Sequence, residues 1–169
     1  DRERYFPLVL VVADVNNLKL TNDAFGHDAG DALLQKVAEI LVDSCREGDI
    51  VARIGGDEFV LLLPTTDVPY AGKIIDRMHE RLSQSTIHDM PVTVSFGYAS
   101  KETHAEDIGS TFREAENIMY RSKISDRPQN RKRIVDRLLR SLFDRHPEEI
   151  AHAEVVATYS YELALRTGL

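Results

Sequence analysis

The sequence RIGGDEFVLLLP, residues 53–64, decides the fold of this chain. Apolar, strand-like runs flank the pair Gly55 and Gly56, a pattern typical of a β-hairpin. Glycine accepts a positive φ at no steric cost and lets another molecule approach the backbone closely. Asp57 and Glu58 follow at once and concentrate negative charge at the turn. We therefore expect an acidic hairpin that holds a ligand, with a plain solvated turn as the alternative.

The composition is that of a globular protein with a core. The 169 residues are 43% hydrophobic and 29% charged, with a net charge of −7. This length suits one domain with an appendage, and the acidic balance argues against general nucleic-acid binding. Residues 121–145 differ, with nine basic and three acidic side chains, as a solvated helix, a linker or a phosphate clamp would have.

Neither a membrane span nor a secretory signal is expected. No apolar run reaches the roughly 20 residues that a spanning helix needs, and no signal-peptide pattern opens the chain. The lone Cys45 excludes an intrachain disulfide and suits a reducing compartment. We therefore expect a cytoplasmic protein without membrane contact in this stretch.

The first apolar run, FPLVLVVA at residues 6–13, predicts a central strand buried on both faces. We expect this strand to end at Asp14. A carboxylate at that point could hold a metal at the sheet edge or could merely terminate the strand.

The segment TNDAFGHDAGD at residues 21–31 carries two side chains with complementary hydrogen-bonding groups. Asn22 offers a carbonyl and an amide, and Asp31 offers an acceptor-only carboxylate. Guanine presents two neighbouring donors that a carboxylate can accept together, whereas adenine does not. Asp31 could therefore bind a guanine, or it could be an acid in the first turn of a helix whose N-cap is Asp28.

Apolar spacing predicts two amphipathic helices and a later strand. The first helix covers residues 32–44, and the second begins at Thr66 or Asp67 and continues to about Ser85. A strand is expected at residues 92–99. The inner face of the second helix is expected to consist of Ala71, Ile74, Ile75, Met78 and Leu82.

Residues 55–59, GGDEF, resemble the signature of the GGDEF family, the diguanylate cyclases. Residues 14–19 resemble the family's DxDxFK segment, with Asn16 and Leu18 in place of the usual Asp and Phe. Other landmarks lie at the family's distances: NDxxGHxxGD at residues 22–31, an RxxD site at 46–49 and the closing helix at 113–123. Asp126 replaces the family's usual glycine before Arg127.

The resemblance implies an α/β (α+β), palm-like nucleotidyl-cyclase fold with a mostly antiparallel central sheet flanked by helices. It implies condensation of two GTP into cyclic di-GMP and two pyrophosphates, by a homodimer because each domain binds one GTP. It also implies Mg²⁺ or Mn²⁺ bound by Asp14, by the carboxylate of Asp57 and by the backbone carbonyl of Val15. Glu58 is a second candidate, either as a metal ligand or as the catalytic base.

The resemblance also implies substrate and inhibitor contacts. Asn22 and Asp31 would read the guanine, which favours GTP as the substrate. Product would bind at Arg46 and Asp49, although a loop salt bridge is the ordinary explanation for an Arg three residues before an Asp. The other implied substrate-binding residues are Leu18, Lys19, Gly55, Gly56, Lys123 and Arg127.

The resemblance divides the chain into three parts. Residues 1–130 are the cyclase-like domain, residues 131–145 a basic amphipathic linker helix, and residues 146–169 the start of an HD-like (HD-GYP) helical domain. The His-Asp doublet of that second family does not occur in residues 146–169, so we expect no catalysis there. The pattern predicts a chain cut from a longer cyclase and phosphohydrolase protein.

Another class of function stays open. The domain could be a non-catalytic module that senses GTP or cyclic di-GMP and regulates an adjacent HD-type phosphodiesterase. The departures at Asn16, Leu18 and Asp126 favour this alternative, whereas the intact signature favours the enzyme. An adenine-accepting variant is disfavoured by Asp31.

Overall fold

The computed structural model describes residues 3–125 and 148–167. The chain divides into two compact units, Asp1–Arg127 and Pro128–Leu169. The first unit contains a four-stranded antiparallel sheet in the order β2-β3-β1-β6 and a separate two-stranded hairpin of β4 and β5. The strands are β1 (Leu8–Val15), β2 (Ile50–Arg53), β3 (Glu58–Leu63), β4 (Thr86–Ile87), β5 (Met90–Pro91) and β6 (Val94–Lys101).

Helices cover both faces of the sheet, as the sequence predicts. A 3₁₀ turn at Glu3–Tyr5 precedes β1. The helices of the first unit are α1 (Leu18–Phe25), α2 (His27–Ser44), α3 (Val68–Ser83) and α4, which occupies residues 108–125.

Strand β1 is the centre of the sheet because it pairs with β3 on one side and β6 on the other. Val11, for example, lies opposite both Leu61 and Tyr98. Residues 9–15 are all buried, which confirms the predicted two-sided burial. The strand continues through Asp14 to Val15, so Asp14 does not end it.

The alternation of side chains along β1 divides the core into two layers. Val9, Val11, Ala13 and Val15 pack in the larger layer with apolar residues of α2 and α3. Leu10 and Val12 pack on the opposite face, where α4 supplies Ala115 and Met119.

Helix α3 confirms the predicted cap and the predicted inner face. The Asp67 side chain accepts a hydrogen bond from the Tyr70 amide at 2.8 Å, so Asp67 rather than Thr66 is the N-cap. The five residues predicted for the inner face are the buried residues of this helix. It ends at Ser83, two residues earlier than expected, and the Ser85 amide then donates to the carbonyl of Leu82.

The prediction that Asp28 caps a helix beginning near residue 32 was wrong. Helix α2 begins at His27, and its N-cap is Gly26, which has φ of +87°. The Gly26 amide also donates to the Asn22 carbonyl and so closes α1. One glycine in a conformation that other residues rarely adopt therefore joins the two helices directly. Asp28 lies in the first turn, where its charge suits the helix dipole.

Helix α4 lies directly against β6 at Gly97. A Cβ atom at this position would be 2.1 Å from the Ala115 carbonyl oxygen and 2.2 Å from the Met119 amide nitrogen. Only glycine permits this approach. The strand itself begins at Val94, two residues later than predicted, because Val92 and Thr93 bond to Ser85 and Asn16 outside the ladder.

The described part of the second unit is the helix α5 (Glu148–Thr167). Several of its apolar side chains are exposed, among them Val155, Tyr159 and Leu163. Residues 126–147 lie outside the described residues, and with them the predicted linker helix at 131–145, Asp126 and Arg127. The domain boundaries stay predictions.

In the part of the chain that the structure describes, no helix has the length and apolar character needed to cross a membrane.

Candidate functional site

The signature hairpin forms as predicted. Strands β2 and β3 pair with Arg53 opposite Phe59, and the amides of Ile54 and Gly55 donate to the Glu58 carbonyl at 2.9 and 3.4 Å. Neither Gly55 nor Gly56 has a positive φ, so the expected conformational reason for the glycines is wrong.

The space around each Cβ position gives a different reason for each glycine. A Cβ at Gly55 would be 2.9 Å from Glu58 Oε2, whereas a Cβ at Gly56 would meet no atom within 4 Å. The fold therefore tolerates a side chain at Gly56, and the glycine leaves its backbone open to an approaching molecule.

The sheet brings the acids of the hairpin next to Asp14. Asp14 lies opposite Glu58 on β3 and opposite Ser95 on β6. The Val15 amide donates to the Asp57 carbonyl at 2.8 Å, which holds the hairpin tip against the end of β1. Asp14 itself is 5% exposed. Four of the predicted residues thus share one corner of the sheet.

Helix α4 adds a positive charge to the same corner. Lys123 Nζ lies 2.6 Å from Asp14 Oδ1, and the two side chains are 23% and 7% exposed. The resemblance implies that Lys123 binds substrate, and the structure places its ammonium group beside Asp14. In the structure, Lys123 pairs with the Asp14 carboxylate rather than with a phosphate.

The turn from β1 into α1 explains the departure at Asn16. The Asn16 side chain accepts a hydrogen bond from Ser95 Oγ at 3.1 Å, a contact that needs only a carbonyl oxygen. The Asn16 amide donates to the Thr93 carbonyl at 2.9 Å. It is therefore not available for a phosphate, although the resemblance implies that the backbone amides of residues 16–18 bind phosphate together. Leu18 and Lys19 begin α1 directly after Asn17, whose φ is +64°.

The two predicted guanine readers lie on neighbouring helices that pack closely. A Cβ at Gly30 would be 1.9 Å from Asn22 Oδ1, so the Asn22 side chain lies directly over α2 one residue before Asp31. Asn22 Oδ1 is buried and has no hydrogen-bond partner within the described ranges. Such groups are normally satisfied. A ligand that donates a hydrogen bond would satisfy this one.

Asp31 opens onto a cavity of about 480 Å³ between α2 and the signature hairpin. The cavity combines the Asp31 carboxylate and the polar side chain of Gln35 with a mostly apolar wall, and Asn22 is not part of its lining. Its lining also includes Leu34, Ala38, Val51, Arg53 and Phe59.

The Arg46 and Asp49 pair forms a closed network. Arg46 donates to the Asp49 carboxylate through its amide at 2.9 Å and its Nε at 3.2 Å. Its Nη2 also donates to Thr66 Oγ1 at 2.9 Å and to the Pro64 carbonyl. The Asp49 side chain is 1% exposed, so the ordinary salt-bridge explanation describes this geometry. The Arg46 side chain nevertheless stays 48% exposed.

Sequence reasoning missed two arginines beside this pair. Arg77 donates to the Ser44 carbonyl at 2.5 Å, and Arg81 lies 3.0 Å from the Asp43 carboxylate. They line a cavity of about 390 Å³ together with Arg46 and Asp49. Their spacing of four residues on α3 was the available signal, since it puts both on one side of a helix.

Cys45 lines the same cavity. Burial raises the pKa of its thiol to about 11, and the negative charge of Asp49 adds to the shift, against a smaller opposing effect of Arg77. The thiol is therefore protonated near neutral pH and chemically quiet.

The model of the family "Diguanylate cyclase, GGDEF domain" matches residues 1–129. Diguanylate cyclase DgcM of Escherichia coli (strain K12) is 36% identical over 115 residues, which cover 68% of this chain and 28% of DgcM. The match covers between 16% and 38% of the length of DgcM and other curated relatives.

Solved structures resemble the fold. The active GGEEF domain of a diguanylate cyclase from Vibrio cholerae superposes with a TM-score of 0.66 at 27% identity, covering 70% of this chain and 78% of that one. The GGDEF domain of DgcB from Caulobacter crescentus, solved in complex with c-di-GMP, gives 0.65 at 26% identity, covering 70% and 72%. These likenesses confirm the expected cyclase-type fold. The chain belongs to the GGDEF-domain family of diguanylate cyclases.

Proposed function

We propose that the GGDEF domain of this chain condenses two GTP molecules into cyclic di-GMP and two pyrophosphates. The observation that supports this most is the register that sets Asp14 opposite Glu58 while Val15 holds the Asp57 carbonyl. Lys123 reaches the same corner. Carboxylates beside an ammonium group suit a nucleoside triphosphate that arrives with metal ions.

The donor set fits Mg²⁺ or Mn²⁺, which prefer oxygen ligands. The proposed ligands are the carboxylates of Asp14 and Asp57 and the carbonyl of Val15. Within residues 3–125 and 148–167, no three His, Cys, Asp or Glu residues form a cluster for a metal. Mg²⁺ is often bound by one or two carboxylates plus substrate phosphates, so this small set suits it. A bound metal would favour ionisation of the attacking 3′-hydroxyl and neutralise phosphate charge.

Lys123 has two partners in this proposal. Without nucleotide its ammonium group compensates the buried Asp14 carboxylate, as the 2.6 Å contact supports. With nucleotide it turns to the phosphate oxygens. Arg127 is proposed for the same phosphates from the sequence alone.

Asn22 and Asp31 are proposed to read the guanine. The buried oxygen of Asn22 supports this, since it lacks a donor among the described residues. Leu18, through its amide at the start of α1, and Lys19 are proposed to bind the phosphates. Gly55 and Gly56 give the reacting phosphate access to the hairpin backbone.

Two copies are needed because one domain holds one GTP and the product contains two. We therefore propose a homodimer with the two hairpins facing each other. Glu58 is the proposed base that accepts the proton of the attacking hydroxyl.

Cyclic di-GMP is proposed to inhibit the enzyme by binding at Arg46 and Asp49. The neighbouring Arg77 and Arg81 support this, since guanidinium groups pair well with phosphates and with guanine. Arg46 would exchange its contacts with the Pro64 to Thr66 turn for contacts with the ligand.

We also propose the predicted division of the chain, with a GGDEF domain at residues 1–130, a linker helix at 131–145 and the start of an HD-like domain at 146–169. The helical state of α5 is compatible with this division.

The test is incubation with GTP and Mg²⁺ at high protein concentration, with cyclic di-GMP detected by chromatography. We expect product that rises more than linearly with protein concentration and is lost in Asp57→Ala. The control Glu114→Ala removes an exposed acid of α4 and should leave activity unchanged. Nucleotide binding without any product would contradict the enzyme and favour the sensing module.

A further inference from the structure

Arg53, the last residue of β2, holds the backbone of the signature turn. Its Nε donates to the Gly55 carbonyl at 3.1 Å, and its Nη2 donates to the Gly56 carbonyl at 2.8 Å. One guanidinium thus draws two successive carbonyl groups toward the same side of the hairpin tip. The planar fork of arginine suits this double contact, which lysine cannot reproduce in the same geometry.

The two carbonyl contacts also fix the direction of two amides. In a planar trans peptide, the carbonyl and the following N–H point in opposite directions. Phe6–Pro7 is the only cis peptide in the described residues, so both peptides of the turn are trans. The amides of Gly56 and Asp57 therefore point away from Arg53.

These amides have no hydrogen-bond partner within residues 3–125 and 148–167. The Gly55 amide differs, since it donates to the Glu58 carbonyl. Two adjacent amides that point to the same side form a site for an anionic oxygen. The open space at the Cβ position of Gly56 lets that oxygen approach.

We propose that Arg53 is a positioning residue that aims the Gly56 and Asp57 amides at a non-bridging oxygen of the attacked α-phosphate. This inference rests on the proposed function. In the reaction, the bond from the 3′-oxygen to phosphorus forms while the bond from phosphorus to pyrophosphate breaks. The hydroxyl proton goes to the base, and the amides keep their hydrogens. Fixed donors of this kind stabilise the transition state without reorganisation.

Arg53 is not required for the hairpin itself. It is exposed, and the turn is already closed by the bonds from Ile54 and Gly55 to the Glu58 carbonyl. Removal of the guanidinium should leave the register of β2 and β3 in place and free the two peptides to rotate. The effect should therefore appear in kcat more than in KM or in stability.

The kinetic test compares Arg53→Met and Arg53→Lys with the control Arg113→Met, which removes another exposed arginine, on α4. Arg53→Met should lower kcat about 100-fold, the usual effect of losing one fixed oxyanion donor. The KM for GTP and the urea midpoint should stay unchanged, and Arg53→Lys should recover part of kcat. Equal losses in kcat and stability, or an unchanged kcat, would overturn the proposal.

A second measurement does not depend on turnover. In ¹H–¹⁵N spectra of wild type, the non-reactive analogue α,β-methylene-GTP with Mg²⁺ should shift the Gly56 and Asp57 amides, and in Arg53→Met it should not. If these amides do not respond in wild type, or respond equally in the variant, the role of Arg53 is wrong. If they respond as expected but wild type makes no cyclic di-GMP, the proposed function fails and the positioning role stands.

Discussion

Lys123 Nζ lies 2.6 Å from Asp14 Oδ1 and so ties the C-terminal part of α4 to the central strand. The carboxylate is nearly buried, with a side chain that is 7% exposed. A buried charge costs free energy unless it is paired. The ammonium group therefore compensates, in the nucleotide-free protein, the same carboxylate that we propose as a metal ligand.

Lys123→Met should lower the free energy of unfolding by about 1–3 kcal/mol, because a hydrogen bond to a charged group is lost at a buried site. Mg²⁺ without nucleotide should reduce this difference, since Asp14 then has other compensation and no phosphate is present for Lys123 to bind. Urea unfolding with and without Mg²⁺ measures both effects.

The control is Lys36→Met, which removes an exposed ion pair with Glu39 at 3.1 Å. It should change stability by less than about 0.5 kcal/mol. If the loss in Lys123→Met is the same with and without Mg²⁺, Asp14 is not where the metal binds.

Gly30→Ala should weaken binding of GTP at least tenfold, because its Cβ would be 1.9 Å from Asn22 Oδ1 and would displace that side chain. Alanine favours a helix over glycine by roughly 0.5–1 kcal/mol, so poor helix formation cannot explain a loss. Calorimetric titration with a GTP analogue measures the binding.

Gly48→Ala is the matched control, since a Cβ at Gly48 would meet no atom within 4 Å. It should bind the analogue like wild type. Normal binding by Gly30→Ala would remove Asn22 from the proposed guanine site.

Gly97→Ala should destabilise the domain by about 2–3 kcal/mol through overpacking. The added Cβ would be 2.1 Å from the Ala115 carbonyl oxygen, and backbone cannot move aside as a flexible side chain can. Urea unfolding measures the change, and Gly48→Ala again serves as the reference. A change below about 0.5 kcal/mol would show that α4 does not lie this close to β6.

Cys45 should react slowly with iodoacetamide in the native protein. Burial, with a contribution from Asp49, raises its pKa from 9.0 to about 11. At pH 8 the thiolate fraction then falls from roughly 10% to roughly 0.1%, so alkylation should be about 100-fold slower than in urea-unfolded protein. The folded protein has the higher pKa, so ionisation of this thiol opposes folding. The contribution of the protonated thiol to the free energy of unfolding is therefore complete below pH 9 and is lost as the pH rises from 9 to 11.

Cys45→Ser should lack that loss of stability between pH 9 and 11.

Alkylation of Cys45 by iodoacetamide also reports on the arginine-lined cavity, since Cys45 belongs to its lining. Saturating cyclic di-GMP should slow the reaction further. An unchanged rate would place the product elsewhere.

The sequence by itself determined the elements whose causes are local. The apolar run of residues 6–13 predicted a strand buried on both faces, and the structure confirms this burial. A cap at Thr66 or Asp67 followed from side-chain chemistry, and the structure selects Asp67. The inner face of α3 followed from the helical period. The signature hairpin followed from a Gly-Gly pair between two apolar runs.

Tertiary structure decided every contact between distant parts of the chain. The pairing of Asp14 with Lys123 spans 109 residues, and that of Asn16 with Ser95 spans 79. Two other contacts also join distant parts of the chain. Arg46 bonds to the turn after β3, and α4 packs against Gly97. Sheet register and helix packing set such contacts. No local pattern of residues encodes them, because each depends on which surfaces exclude water together when the whole domain forms.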